Sequence, residues 1–208
     1  DTNALVLGTS VVNGTYTVTA GGHITDDGAL DVEGNATISA TTSYNVTLDN
    51  TSNDFTNDVR VIGDDVQLVD ANGIVLGTSN VDGTYAVTAT AGGDITDEGT
   101  LDIEGVATFT AANGQSIYLN DTSNDFNTTV TFAAVSGSLA NVTIDDTGAI
   151  ALPALNITGN LSVTAGGAVT DNGVLDIDGT ASFTSSNANN SITINNNTDN
   201  EIILFNEC

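Results

Sequence analysis

The chain repeats itself. "TAGGHITDDGALDVEG" at 19–34 returns as "TAGGDITDEGTLDIEG" at 90–105 and as "TAGGAVTDNGVLDIDG" at 164–179. "LGTSVVNGTYTVTA" at 7–20 returns as "LGTSNVDGTYAVTA" at 76–89, and "DNTSNDF" at 49–55 returns as "NDTSNDF" at 120–126. A period of roughly 70 residues carried by Val, Ile, Thr, Asn, Asp and Gly predicts a stacked architecture. We read residues 1–208 as one such unit, with long repeats at about 4–72, 73–148 and 149–208. Repetition spreads surface chemistry along an axis, whereas an active site needs one unique cluster.

Inside each long repeat runs a shorter beat. Alternating segments start at 14, 34, 57, 83, 105, 128, 159 and 179, so the intervals are 20, 23, 26, 22, 23, 31 and 20 residues. Period-2 alternation marks half-buried strands. The inward pairs are Tyr16/Val18, Ala36/Ile38, Val59/Val61, Tyr85/Val87, Ala107/Phe109, Val130/Phe132, Leu161/Val163 and Ala181/Phe183. Thr17, Thr37, Arg60, Ala86, Thr108, Thr131, Ser162 and Ser182 are then expected in one outward column.

Each interval is the length of one coil of a parallel β-helix. The fold class expected is all-β, a right-handed parallel β-helix (β-solenoid) of about eight to nine coils, three coils per long repeat. "ALDV", "TLDI" and "VLDI" at 29–32, 100–103 and 174–177 are expected to stack above one another. So are "NVTL", "SIYL" and "SITI" at 45–48, 116–119 and 191–194. The 31-residue interval holds the single proline, Pro153, and is expected to bulge there. A β-sandwich with strands every 8–12 residues is the rival all-β reading.

Composition narrows the function classes. There are 27 Asp and Glu against one Lys or Arg, Arg60, for a net charge of −26. Such a surface repels nucleic acid and anionic membrane, which need Lys and Arg to neutralise phosphates. It attracts hard cations, and calcium is the natural one for exposed carboxylates. The plain alternative is that charge keeps the protein soluble. No run approaches the roughly 20 apolar residues that span a bilayer, so no membrane insertion is expected. The chain starts inside a repeat without a leader-like segment and reads as mature or excised. Cys208 is the one cysteine, which excludes an internal disulfide.

The segments "NALVLGTS…VNGTYTVTAGGHITDDGALDVEGNATISA" and "LVDANGIVLGTS" at 68–79 resemble the β-strand repeats of filamentous-haemagglutinin-like adhesins and exoproteins, very large bacterial surface proteins. The resemblance covers roughly residues 4–185. It implies a right-handed β-helix shaft, exported and displayed at the cell surface. The chain lacks that family's amino-terminal secretion domain and is richer in Asn and Asp.

The acidic corner is the candidate metal site. Asp26, Asp27, Asp31 and Glu33 recur as Asp97, Glu98, Asp102 and Glu104, then as Asp171, Asp176 and Asp178. Acidic residues two apart on a strand share a face, so Asp31/Glu33, Asp102/Glu104 and Asp176/Asp178 form outward pairs. The strong calcium motifs are absent, and a solvated stripe is the competing reading. The Asn-rich turns are expected to ladder along the axis. Asn13, Asn35, Asn45, Asn50, Asn120, Asn127, Asn141, Asn156, Asn160, Asn189 and Asn196 each begin an N-x-[ST] glycosylation triplet. A flat Thr/Ser array suits ice or a carbohydrate surface.

No nucleophile–base constellation can be assembled, and His23 gives way to Asp94 and Ala168 in the other repeats. The sequence therefore predicts a non-catalytic, extracellular, cell-surface structural protein, a shaft of an adhesin or exoprotein. The alternative is a self-assembling subunit of an extracellular filament or surface layer, stabilised by calcium. Expected partners are copies of itself or adjoining repeats end to end, and a host-cell or matrix surface. "EIILF" at 201–205 is expected to plug the last coil or to insert into a neighbour.

Overall fold

The computed structural model describes residues 1–187, 190–195 and 202–206. Short alternating segments broken by Gly, Asn and Asp leave no stretch that can wind a helix, and the described residues form strands alone. The first repeat supplies β1 (Leu5–Leu7), β2 (Ser10–Val12), β3 (Tyr16–Thr19), β4 (Ile24–Asp26), β5 (Leu30–Val32), β6 (Ala36–Ser39), β7 (Val46–Leu48), β8 (Asp54–Phe55), β9 (Val59–Gly63) and β10 (Val66–Asp70). The second supplies β11 (Ile74–Leu76), β12 (Ser79–Val81), β13 (Tyr85–Ala89), β14 (Ile95–Asp97), β15 (Leu101–Ile103), β16 (Ala107–Ala111), β17 (Ile117–Leu119), β18 (Asp125–Phe126), β19 (Val130–Ala134) and β20 (Val142–Asp146). The third supplies β21 (Ile150–Leu152), β22 (Leu155–Ile157), β23 (Leu161–Ala165), β24 (Val169–Asp171), β25 (Leu175–Ile177), β26 (Ala181–Ser185), β27 (Ile192–Thr193) and β28 (Ile202–Asn206).

The pairings are parallel, and strands pair as a rule with the third one along the chain, β1 with β4, β2 with β5, β3 with β6, while β26 pairs with β28. Three strands therefore make a coil, and 28 strands make about nine coils. At about 4.8 Å per coil the solenoid is on the order of 40 Å long. Parallel ladders leave no place for the antiparallel β-sandwich.

The first face is the ladder β1-β4-β7-β10-β13-β16-β19. The second comprises β2-β5-β8 and then the ladder β11-β14-β17-β20-β23-β26-β28, whose first strand also touches β9 where Leu76 faces Val59. Two bonds mark the join: Ala71 N–H donates to the Asn53 carbonyl and Gly77 N–H to that of Val59, so the segment carrying β11 covers the one carrying β8. The third face runs β3-β6-β9-β12-β15-β18 and resumes as β21-β24-β27. β22 and β25 return to the first face by the same count.

Ten strands per repeat do not divide by three. Each repeat is three coils plus one strand, so its successor is turned by one face. This corrects the expected stacking. β5, β15 and β25, which carry "LDV", "LDI" and "LDI", lie on the second, third and first faces. β7, β17 and β27 are spread likewise. The outward hydroxyl column also divides: Thr17, Thr37 and Arg60 align on one face, Ala86, Thr108 and Thr131 on another, Ser162 and Ser182 on the last. The 26- and 31-residue intervals each contain four strands rather than one long coil. Pro153 sits in the short link between β21 and β22. The bulge lies at 135–141 instead, where Ile117 faces Val142 at an offset of 25 residues.

Every expected inward pair faces the core. Tyr16 is half-buried and its partners in the other coils are buried. The core is mostly aliphatic; besides Phe55 and Phe183 it holds a knot around Phe109, whose ring meets Tyr85 edge-on at 5.9 Å, Phe126 edge-on at 6.2 Å and Phe132 at 6.3 Å. Each fully buried Val, Leu or Ile contributes about 1.5–3 kcal/mol. The backbone of 202–206 pairs with β26 of the same chain, Ala181 opposite Ile202, so this strand adds a rung to its own solenoid. Glu201 and Cys208 lie outside the described residues.

Candidate functional site: the carboxylates at the coil corners

Asp26, Asp97 and Asp171 end β4, β14 and β24, where the chain turns. The turn of the next coil starts directly above with free N–H groups, and a carboxylate is a strong acceptor for them. Asp26 accepts from the N–H of Asp49 (3.1 Å) and Asn50 (3.4 Å), and from the Asn53 amide (2.7 Å). Asp97 repeats this with Asn120 N–H (2.9 Å), Asp121 N–H (3.2 Å) and the Asn124 amide (2.7 Å). Asp171 accepts from Asn195 N–H at 3.1 and 3.2 Å. These three expected metal ligands thus cap the loop of the coil above.

The Asn-rich turns take part through Asn53 and Asn124, both fully buried. Their amide oxygens accept from Leu30 N–H (2.9 Å) and Leu101 N–H (2.8 Å), in the coil below. Each amide therefore joins two coils by bonding an Asp and a backbone group. This differs from the expected Asn-on-Asn ladder: the two amides belong to repeats turned by one face and do not align.

The remaining expected ligands point outward. Asp31, Glu33, Glu104 and Asp178 are exposed, and Asp102 and Asp176 half-buried. They are dispersed over three faces by the turn between repeats. Asp31 lies opposite Asp54, Asp102 between Asn80 and Asp125, and Asp176 opposite Asn156. Among the described residues no group of three or more His, Cys, Asp or Glu side chains is arranged to hold a metal.

Of the sequon asparagines, Asn13, Asn35, Asn120, Asn127, Asn156 and Asn160 are exposed, and Asn45, Asn50 and Asn141 half-buried. Asn141 is committed to the shaft, its oxygen accepting from Asn160 N–H at 2.9 Å and its amide meeting Ser116 at 3.2 Å. Asn189 and Asn196 lie outside the described residues. The two basic side chains also serve locally. Arg60 pairs with Asp58 at 2.6 Å, and His23 Nδ1 accepts from Asn45 N–H at 3.0 Å.

Two carboxylates that sequence reading passed over are the most buried. Asp70 and Asp146 end β10 and β20 at equivalent places, in "VQLVDANG" (66–73) and "VTIDDTGA" (142–149). Their signal was an Asp closing a strand just before a small-residue turn. Asp70 accepts from Phe55 N–H (2.7 Å) and Asn72 N–H (2.6 Å), one on each oxygen. Burial pushes its carboxyl up to about 6, aided by Asp54, against the pull of those two bonds. Burial likewise raises Asp146, with Asp125 adding repulsion, and raises its neighbour Asp145, with Asp97 adding to it. Oδ1 of Asp146 receives both Phe126 N–H (3.1 Å) and Gly148 N–H (3.2 Å), and its buried Oδ2 has no partner. Beside it opens a cleft of about 370 Å³. A shallower groove of about 320 Å³ lies over Leu155 and Val174.

No curated protein and no solved structure matches the chain. A family model described as repeats of unknown function (DUF5649) matches it three times in succession, at residues 1–62, 63–133 and 139–202. The second and third matches start ten residues before the long repeats at 73 and 149, a shift in where a cyclic repeat is cut. With nearly the whole length covered by three consecutive matches, the chain belongs to the family of repeats of unknown function, DUF5649.

Proposed function

We propose that the chain is a non-catalytic extracellular structural element, a length of shaft in a cell-surface adhesin or exoprotein. The observation that carries this is where the repeated polar chemistry goes. Asp26, Asp97, Asp171, Asn53 and Asn124 recur because they fasten one coil to the next. A motif that recurs to hold coils together is selected for length and stiffness. The outward Asp, Glu, Thr and Asn coat the shaft with negative charge, which keeps neighbouring shafts apart. The surface location rests on the resemblance of the repeats to those of large bacterial surface proteins.

Antibody raised against this chain should label intact cells, and protease treatment of those cells should remove the label. Labelling that needs permeabilised cells would overturn the extracellular reading. Electron microscopy of the purified chain should show isolated short rods. Fibres that lengthen with concentration would instead make it a subunit of a self-assembling filament.

A further inference from the structure

We propose that the corner formed by Asp145 and Asp146 is a calcium site. It goes beyond the shaft reading and does not depend on it. The repeat makes two corners equivalent, and their surroundings differ.

At the first corner everything is closed. Both oxygens of Asp70 are engaged, Val69 beside it is buried, and the Thr90 hydroxyl of the next coil donates to the Asp70 carbonyl at 3.1 Å. At the second corner three changes coincide. Val69 becomes Asp145, Ala71 becomes Thr147, and the pair Thr90–Ala91 has no counterpart, since Gly166 follows Ala165 directly. At this second corner a cleft opens, lined by Thr122, Asp145, Asp146, Thr147, Thr164 and Gly166.

The polar side-chain groups of these six residues are all oxygens: two carboxylates and three hydroxyls. Asp146 is 5% exposed, and one of its oxygens is unsatisfied. A buried acceptor without a donor is costly. Two adjacent carboxylates facing further repulsion from Asp97 and Asp125 are more costly still. Neither Arg60 nor His23 lies among the residues of the cleft. A hard divalent cation seated in the cleft would offset this charge and draw its ligands from these oxygens. Calcium accepts carboxylate, hydroxyl and water oxygens in irregular geometry, whereas magnesium demands a near-ideal octahedron. An open, asymmetric cleft favours calcium.

The test is a calcium chloride titration of chelator-washed protein, read by calorimetry and by thermal melting. The expected result is one saturable site with a Kd of about 0.1–1 mM, in the range of extracellular calcium modules. Saturation should raise Tm, as for any ligand bound only by the folded state. Asp145→Asn should weaken binding at least tenfold. Asp145→Val, which restores the residue of the first corner, should abolish it while keeping the fold by circular dichroism. Asp70→Asn should bind like the parent. The proposal is overturned if the heats do not saturate and match those of sodium chloride at equal ionic strength. It is also overturned if Asp145→Val binds like the parent, or if only acidification, and never calcium, raises Tm.

Discussion

The loops at 49–55 and 120–126 and the corners at 66–73 and 142–149 are both repeated, but they are repeated differently. In the loops the bonds return nearly unchanged. The Asn53 and Asn124 amides reach Asp26 and Asp97 at 2.7 Å each, and accept from Leu30 and Leu101 at 2.9 and 2.8 Å. At the corners the Asp returns but its surroundings do not: a closed, apolar neighbour becomes an acidic cleft. Chemistry that is kept through the repeats marks what the coil needs to stack. Chemistry that diverges at an equivalent place is free of that duty and is where an additional role is sought.

Breaking a kept feature should have the largest effect. Asn124→Ala removes one of the three donors to the Asp97 carboxylate and leaves the Leu101 N–H without its acceptor in a buried site, and should cost about 3 kcal/mol in denaturant unfolding. Asn35→Ala, at an exposed sequon, should stay within about 0.5 kcal/mol. Near-equal losses for the two would erase the distinction between kept and free positions.

The glycine corners come next. Gly34 stacks on Gly14, Gly105 on Gly83 and Gly179 on Gly159, and a Cβ on Gly105 would fall on the Gly83 carbonyl. Backbone cannot yield as a side chain can, so Gly105→Ala should cost about 2 kcal/mol. Gly14→Ala meets no atom within 4 Å and should be close to neutral. A thermal melt of both variants checks this.

The corners predict a pH response. Asp70 holds its proton up to about 6 in the folded state against an ordinary value of 3.8. Between those values the folded chain binds more protons than the unfolded one, so stability falls as pH rises through this window. Acidification from pH 7 to 5 should therefore stabilise the protein, with Asp70 contributing on the order of 1 kcal/mol. Asp65 acts in the opposite sense. Hydrogen bonds from Thr84 lower its pKa, and its contribution is lost only at pH values below the ordinary carboxylate range. Asp70→Asn should flatten the profile between pH 5 and 7. An unchanged slope would show that relief of the general negative charge dominates.

The smallest effect is expected at Tyr85. Its hydroxyl is buried without a hydrogen-bond partner, and the Ser79 hydroxyl that interacts with it is bonded to the Gly77 carbonyl at 2.9 Å. Tyr85→Phe should be neutral to stabilising, within about 1 kcal/mol. A clear loss would reveal a partner for the hydroxyl.

The sequence by itself determined the strands and their inward residues. Alternation is local, because successive Cβ atoms in an extended chain point to opposite sides whatever lies above or below. Val59, Val61, Phe109 and Phe183 could thus be placed in the core from their neighbours alone. The repetition likewise pointed to stacking. What tertiary structure decided is which residues meet across coils, since that depends on the summed lengths of every intervening turn. Three strands close a coil while ten make a repeat, and this mismatch puts equivalent acidic pairs on different faces. Asp26 looked like a ligand in one dimension and is a cap in three, because its donors lie 23 to 27 residues away. The free oxygen of Asp146 has the same origin: the N–H groups of Phe126 and Gly148 both reach Oδ1, whereas at Asp70 the two equivalent donors take one oxygen each, and where they fall depends on the path of the neighbouring turns.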